Sequence, residues 1–503
     1  MGKGREDMSK IVSQFKLNYD AKHDAFPYQR EAFESVKDLD YAAIFHEQGL
    51  GKTKIAIDLM LYWLQKKDID TVLIVSKKQL IKNWMDEIQE HTHIRAKTLS
   101  SNKADNFYVL NSPTKVIVTN FETLSTDKQR MKLFLKARNV AIIIDESTKI
   151  KNPESKLTQD YFELSSLFKI KVIMTGTPVA NRPYDIWAQI YFLDEGESLG
   201  TDYSQFKKHT NLTNTLASDR NEQKIFKDNV SVIFEKISGF SVRETKKSCA
   251  IELPSKNYET VYADFEKRQQ EMYSQVLREL EIMVEKDEKV RVDDNSVVLK
   301  RLSRLLQIAS NPRIIDDGYE GISGKEEVLD RLINEIVSRG EKCIVWSNFI
   351  ENVDWLTNKY TNYRARKLHG SMSIEERNKS VDVFKKDEDC KLLFATPQAA
   401  KEGLTLTVAN NVIFYDRGFN LDDYLQAQDR IHRISQKKSC NIYNIMIENS
   451  VDEWIAALLE AKQSAAFLAQ GDITESEFEK QMDYSYGNMI AEILNAAEEY
   501  YGY

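Results

Sequence analysis

The chain has 503 residues, of which 42% are hydrophobic and 29% charged, and its net charge is −8. At about 150 residues per domain this leaves room for two large domains or three small ones. The composition excludes wholesale disorder, and 8 prolines with 18 glycines exclude a collagenous or low-complexity chain. No run approaches the ~18 apolar residues of a membrane span. The N-terminal MGKGREDMSKIVSQF is charged without the apolar core of a signal peptide. The expectation is therefore a soluble, cytoplasmic protein with no membrane partner. Cys249, Cys343, Cys390 and Cys440 lie far apart without Cys-x-x-Cys spacing, which fits reduced, mostly buried thiols rather than a disulfide frame or a zinc site. The acidity is local. Residues 448–503 carry twelve Asp/Glu against two Lys, so the preceding 447 residues are close to neutral at +2 and can still hold a basic channel.

In chain order, YAAIF (41–45) is a short apolar run leading into a Gly-containing turn, and an amphipathic helix is expected from Lys52 to about Lys66. TVLIVS (71–76), KVIVTN (115–120), VAIIID (140–145) and KVIMTG (171–176) read as further buried strands. Near-continuous apolar runs suit a parallel sheet covered on both faces, and strand–helix alternation implies a doubly wound domain. Residues 195–310 are polar and helix-like, with LPSKN (253–257) as a turn before a long helix starting at FEKRQQEMYS. The α/β pattern resumes with KCIVWSN (342–348), CKLLFAT (390–396), VIFYD (412–416) and CNIYNIMI (440–447), with SIEERNKSVDVFKK (373–386) as an intervening helix. The fold class is α/β, with two doubly wound parallel-sheet lobes, an inserted helical region and a helical tail. The expected boundaries are an N-terminal segment 1–23, a first lobe 24–250 with a helical insertion near 195–242, a second lobe 251–465 opening with a helical insertion near 262–315, and an acidic tail 466–503.

Two segments carry chemistry. HEQGLGKTKIAI (46–57) lies between a strand and a helix. Gly49, Leu50 and Gly51 let backbone N–H groups face phosphate oxygens at a helix N-terminus. Lys52 reaches the outer phosphates and the Thr53 hydroxyl ligates Mg²⁺. His46 stands where the strict phosphate-loop pattern has Gly. The second segment, IIIDESTKIKN (142–152), puts Asp145 and Glu146 at a strand end, where one carboxylate holds Mg²⁺ and the next orients the attacking water. The bland alternatives are a Gly-rich turn and a solvated acidic turn; the order of the two segments in an alternating α/β pattern favours the nucleotide reading.

The series of motifs resembles the helicase superfamily 2 ATPases of the Swi2/Snf2 branch over roughly residues 24–465. YQREAF (28–33) resembles the adenine-reading glutamine motif, with Gln29 in the key position; HEQGLGKT resembles Asp-Glu-x-Gly-Leu-Gly-Lys-Thr. VSKKQLIKNWMDEI (75–88) resembles motif Ia, VTNFETL (118–124) the following DNA-contact motif, DEST (145–148) the Asp-Glu-Ala-His box, and TGTPVAN (175–181) motif III. LLQIASNP (305–312) resembles the family's helix before the second lobe, and WSNF (346–349) looks like motif IV. QAQDRIHRISQ (426–436) is similar to the Snf2 signature, with Ser435 replacing its final Gly. The resemblance implies RecA-like lobes that bind ATP between them, with Gln426, Arg430 and Arg433 completing the site on closure. The three-residue spacing of the arginines predicts that they share one helical face. Motif V (395–406) keeps Gly403 but has Ala400 and Lys401 where the family has a Gly-Gly pair, and Thr405 for the usual Asn. Thr148 replaces the family's histidine, so any link from the acidic box to motif III must use a hydroxyl.

The resemblance further implies double-stranded DNA as partner, held mainly by its phosphates. Candidate contacts are Lys77, Lys78, Asn83, Asn120, Asn181, Asn348, His369 and Thr396. Lys77 and Lys78 have a solvated loop as the alternative, and Asn120 or His369 a helix cap. Trp187 and Trp346 are expected in the core. The activity implied is an ATP-dependent duplex translocase that moves or displaces bound proteins. The alternatives are an ATP-gated clamp without processive movement, or a strand-separating helicase. The acidic tail is read as a solubilising surface and a docking helix for a protein partner, with autoinhibition as a third reading. The compact architecture suggests a bacterial or phage source.

Overall fold

The computed structural model describes residues 17–482 apart from 180, 217–218, 250–252, 287–294, 401–403 and 434. It divides into two units. The first comprises Met1–Pro178, Asp185–Tyr203 and Glu235–Ala250; the second comprises Val179–Tyr184, Ser204–Phe234 and Ile251–Tyr503. The helices of 204–234, placed by chain order within the first lobe, are thus counted with the second unit.

The first unit is built on seven strands: β1 (Tyr41–Ile44), β2 (Thr71–Ser76), β3 (Lys97–Thr98), β4 (Val116–Asn120), β5 (Val140–Asp145), β6 (Ile170–Met174) and β7 (Ser241–Val242). Their order is β3-β4-β2-β5-β6-β1-β7 and every pairing is parallel. β2 (TVLIVS) and β6 (IKVIM) are buried at every residue, as strands covered on both faces are; Lys171 of β6 is accommodated by donating from Nζ to Ser165 Oγ at 3.0 Å. The helix Lys52–Lys66 covers one face with Ile55, Leu59, Met60 and Trp63, which pack on Val72, Ile74 and Ile143. Because β6 lies between β5 and β1, the segment after β6 runs between the loops that follow the other two strands. In an open sheet of this kind the carboxyl ends of the strands are where ligands bind.

The second unit carries β8 (Lys256–Ala263), β9 (Cys343–Trp346), β10 (Arg366–Leu368), β11 (Leu392–Ala395), β12 (Asn411–Phe414) and β13 (Cys440–Ile447), ordered β10-β11-β9-β12-β13-β8, again all parallel. The turn expected at LPSKN gives way at Lys256 to β8, which pairs with β13 along all eight of its residues. β8 is an edge strand with mostly exposed side chains, so it lacks the apolar run that marks a buried strand. The helix Ile374–Lys386 starts where its sequence dictates: Ser373 and Glu376 form a capping box. Trp187 and Trp346 are core residues, and none of the four cysteines forms a disulfide. Among the described residues no helix is long and apolar enough to cross a membrane.

The last described helix, Glu475–Gln481, is fixed within the second unit. Phe478 is fully buried and stacks on Phe226 at 6.1 Å, Lys227 pairs with Glu479, and Ser231 Oγ donates to Glu475 Oε1 at 3.2 Å. The rest of the acidic tail, 483–503, lies outside the described residues. A seven-residue helix does not persist alone in water. Phe478→Ala is therefore expected to release this helix locally rather than unfold the unit. Limited proteolysis checks this: early cleavage near residues 470–482 is expected with little change in melting temperature, and a wild-type cleavage pattern would contradict it.

Candidate nucleotide and nucleic-acid sites

The phosphate loop follows β1. Gly49 and Gly51 have φ of +89° and +69°, the left-handed region that glycine adopts without penalty. A Cβ on Gly51 would also lie 2.3 Å from Gln29 Nε2. Gln29 is buried; its Nε2 donates to Leu50 O at 3.1 Å, and its Oε1 accepts from Phe26 N at 2.9 Å. The glutamine expected to read adenine thus braces the loop in this structure. Leu50 is fully buried. Lys52 donates from Nζ to His46 O at 2.8 Å. Desolvation holds its ammonium below the ordinary lysine range, against the opposing pull of Glu146 and Asp145. Thr53 sits in the first turn of the helix that the loop opens.

Asp145 and Glu146 end β5. Burial, followed by the neighbouring Glu146, pushes the Asp145 carboxyl upward; hydrogen bonds from Trp84 Nε1 (2.8 Å) and Ser76 Oγ (3.0 Å) to its Oδ2 oppose the rise. Trp84 belongs to the motif Ia segment, so that motif buttresses the acidic box directly. Glu146 has φ +58° and ψ +53°, a conformation that costs a non-glycine residue about 1–2 kcal/mol. Between these groups runs the segment after β6. A Cβ on Gly176 would lie 2.6 Å from Gln48 Cγ and 3.3 Å from Lys52 Nζ, so only glycine fits there. Gln29, Gly49, Leu50, Gly51, Lys52, Thr53, Asp145 and Glu146 are therefore gathered at one end of the first sheet.

Two groups at this end escaped the sequence reading. Lys246 lies 3.8 Å, through Cε, from where a Gly49 Cβ would be, and its Nζ pairs with Glu47 Oε1 at 3.1 Å. Nothing in its local sequence marks it, because β7 brings it to the loop from 200 residues away. Ser147 donates from Oγ to Gln189 Oε1 at 2.7 Å, and Gln189 Nε2 donates to Pro178 O at 2.9 Å. The hydroxyl link from the acidic box to motif III, expected at Thr148, thus starts at Ser147. The Ser-for-Ala difference in DEST was the available signal.

Among the described residues no cluster of three or more His, Cys, Asp or Glu could hold a metal by itself. The donor set fits Mg²⁺ carried with a nucleotide, since that ion is held by one or two carboxylates, phosphate oxygens and water. Asp145 and Thr53 would be its protein contacts.

The DNA candidates divide by exposure. Lys78 and Asn83 are exposed and Lys77 half-buried, at the start of the helical segment after β2. Asn120 caps the helix Phe121–Thr126, its Oδ1 accepting from Thr123 N at 2.8 Å. In the second unit, Asn181 Oδ1 accepts from Leu421 N at 2.9 Å, Asn348 Nδ2 donates to Asp416 Oδ1 at 2.9 Å, and buried His369 faces Asp354 Oδ1 at 3.3 Å. Thr396 is buried after β11. Gln426 is buried, with Nε2 on Asp422 Oδ1 at 2.8 Å. The arginines do not share a helical face. The helix ends at Gln428, and Arg430 and Arg433 lie in the turns after it. Past Gln428 the backbone tightens to three-residue bonds, Arg430 N on Ala427 O and Ile431 N on Gln428 O, and the carbonyls beyond are satisfied away from a helix: Asp429 O by Arg433 Nε, Arg430 O by Leu406 N, and Ile431 O by Gln436 Nε2. Arg433 Nη1 also donates to Thr405 Oγ1 at 2.8 Å, which ties the signature-like segment 426–436 to the residue that replaces the family's Asn in motif V. Gly403 and Lys401 lie outside the described residues.

This geometry agrees with the comparisons. The SNF2-related domain matches residues 35–314 and the helicase conserved C-terminal domain residues 324–435. The chain belongs to the SNF2-related family. It is 26% identical over 430 residues to the ISWI chromatin-remodeling complex ATPase ISW1 of Saccharomyces cerevisiae, covering 81% of this chain and 37% of that protein. It is 27% identical over 468 residues to an uncharacterized ATP-dependent helicase of Mycoplasma genitalium, covering 90% and 43%. The chain thus spans less than half the length of these relatives. Among solved structures it resembles the Sulfolobus solfataricus SWI2/SNF2 ATPase core in complex with dsDNA, at 25% identity, with a TM-score of 0.42 and coverage of 93% of this chain and 99% of that one.

His46 gives this site a pH signature. The ring is fully buried, and burial, reinforced by Lys52, lowers its pKa to about 4. The unfolded chain takes up a proton near the ordinary histidine value of about 6.5 that the folded chain refuses, so stability is lost as pH falls from there toward 4. Thermal melts at pH 7 and pH 5 are expected to show a smaller acid-induced drop for His46→Phe than for the wild type. An equal drop would show that His46 does not stay neutral in the fold.

Proposed function

We propose that this chain is an ATP-driven motor that moves along double-stranded DNA without parting its strands and displaces proteins bound there. The observation that carries this reading is the gathering of one desolvated lysine and two carboxylates around a glycine loop at a sheet's carboxyl end, within an SNF2-related domain. In this reading the loop N–H groups and Lys52 hold the ATP phosphates, Asp145 and Thr53 hold Mg²⁺, and Glu146 orients the attacking water. Bound Mg²⁺ supplies neutralisation of phosphate charge. Arg430 and Arg433 act as arginine fingers, a role whose loss typically costs roughly 10³–10⁵ in rate. Gln29 and Gln426 would serve nucleotide recognition by releasing the bonds they now make.

Duplex contacts are assigned first to the exposed Lys78 and Asn83, with the half-buried Lys77 beside them. The remaining candidates, Asn120, Asn181, Asn348, His369 and Thr396, would act by positioning the backbone that meets DNA. The relative named as a chromatin-remodeling complex ATPase supports action on protein-bound duplex. The bacterial relative supports a cytoplasmic, bacterial-type protein. Residues 483–503 would dock a protein partner.

Triplex displacement tests the reading. The wild-type protein is expected to free a third strand from duplex in the presence of ATP and Mg²⁺ but not ADP. Lys52→Ala and Glu146→Gln should free none while binding duplex within about threefold of wild type, which is under 1 kcal/mol. Displacement by Glu146→Gln at the wild-type rate would contradict the assignment. Nucleotide-dependent duplex binding without any displacement would identify a clamp instead.

A further inference from the structure

The acidic box has an anchor that no motif reveals. Glu146 occupies left-handed backbone, which a non-glycine residue keeps only where its surroundings hold it. Its Oε2 is buried with no hydrogen-bond partner among the described residues, so this oxygen is available to a water. The residue that fixes the bend is the next one. Ser147 is fully buried and its Oγ donates to Gln189 Oε1 at 2.7 Å. Gln189 is also fully buried, on the helix Trp187–Asp194, and its Nε2 donates to Pro178 O at 2.9 Å and to Asp185 O at 2.8 Å. Both ends of the amide are engaged, so only one orientation satisfies all three partners. A slack Ser147 would let the left-handed bend relax, and the Glu146 carboxylate would leave its place.

We infer that Ser147 and Gln189 are positioning residues for Glu146: they hold its carboxylate where it orients the attacking water and tie that position to the backbone of the Thr-Gly-Thr-Pro segment at Pro178. Neither residue touches nucleotide. The inference rests on the reading of Glu146 as the water-orienting group. It explains how the chain dispenses with the family's histidine. The link has moved from residue 148 to a serine one position earlier, and Gln189 receives it. A buried hydrogen bond of this kind acts through geometry, so its loss is felt in the chemical step rather than in nucleotide affinity.

Steady-state ATP turnover with duplex DNA tests this on the full chain. Ser147→Ala and Gln189→Leu are expected to lower kcat roughly tenfold or more while KM for ATP stays within about twofold. Ser147→Thr, which keeps the hydroxyl, should retain most of the wild-type kcat. In a Glu146→Gln background, Ser147→Ala should lower the residual rate no further, because the group it positions is already disabled. A wild-type kcat in Ser147→Ala would overturn the inference, as would a full additional loss in the Glu146→Gln background. If Gln189→Leu fails to fold, the Ser147 variants decide alone. Equal turnover by Glu146→Gln and wild type would overturn the underlying role of Glu146, an outcome distinct from failure of the Ser147 variants in an enzyme that needs Glu146.

Discussion

One ammonium and two carboxylates share the carboxyl end of the first sheet, and the first unit is organised around keeping them there. Each is costly to bury unless its neighbours answer its charge or its hydrogen bonds. Lys52 rests on the carbonyls of its own loop and lies in the field of Glu146 and Asp145. Asp145 is held by Trp84 and Ser76, both from the motif Ia segment that begins at the end of β2. Glu146 is held by the backbone bend and by the serine that follows it. The strand order supplies the rest: β6 between β5 and β1 delivers Gly176, which has no side chain to intrude between the loop and the lysine.

Lys52, Gln29 and Lys246 each engage a group belonging to the phosphate loop. A polyphosphate brings several negative charges and would draw the two lysines to itself. In the second unit, Asp416 plays a comparable organising part without being a candidate for chemistry. It accepts hydrogen bonds from Ser310, Ser347, Asn348 and Asn352, and so joins the ends of β9 and β12 to the helices Asn295–Ser310 and Ile350–Lys359.

Much of this was legible in the residues. The helix from Lys52 to Lys66 and strands β2, β5 and β13 fall where their apolar runs and flanking residues place them, because local pattern and burial agree there. β8 was not legible. Its side chains are mostly exposed, and its strand geometry comes from pairing along β13 rather than from its own sequence. The break after Gln428 was hidden for a similar reason: spacing alone places Arg430 and Arg433 on one face, but the backbone tightens there and the following carbonyls bond to side chains from further along the chain. Within the candidate site, glycines, lysine and carboxylates announce themselves by type. Gln189 and Lys246 do not, since a lone glutamine on an apolar helix and a lysine in a basic stretch acquire meaning only from the fold that carries them to the acidic box and the loop.

The central claim is that the first unit's charge cluster hydrolyses ATP and that duplex DNA governs the rate. Steady-state ATP turnover should be measured without nucleic acid and with single-stranded DNA, duplex DNA or RNA, using Lys52→Ala as the blank. The account predicts strong stimulation by duplex DNA, little by the other two, and none in the blank. Turnover that ignores every nucleic acid would contradict it and would point to a switch driven by a protein partner.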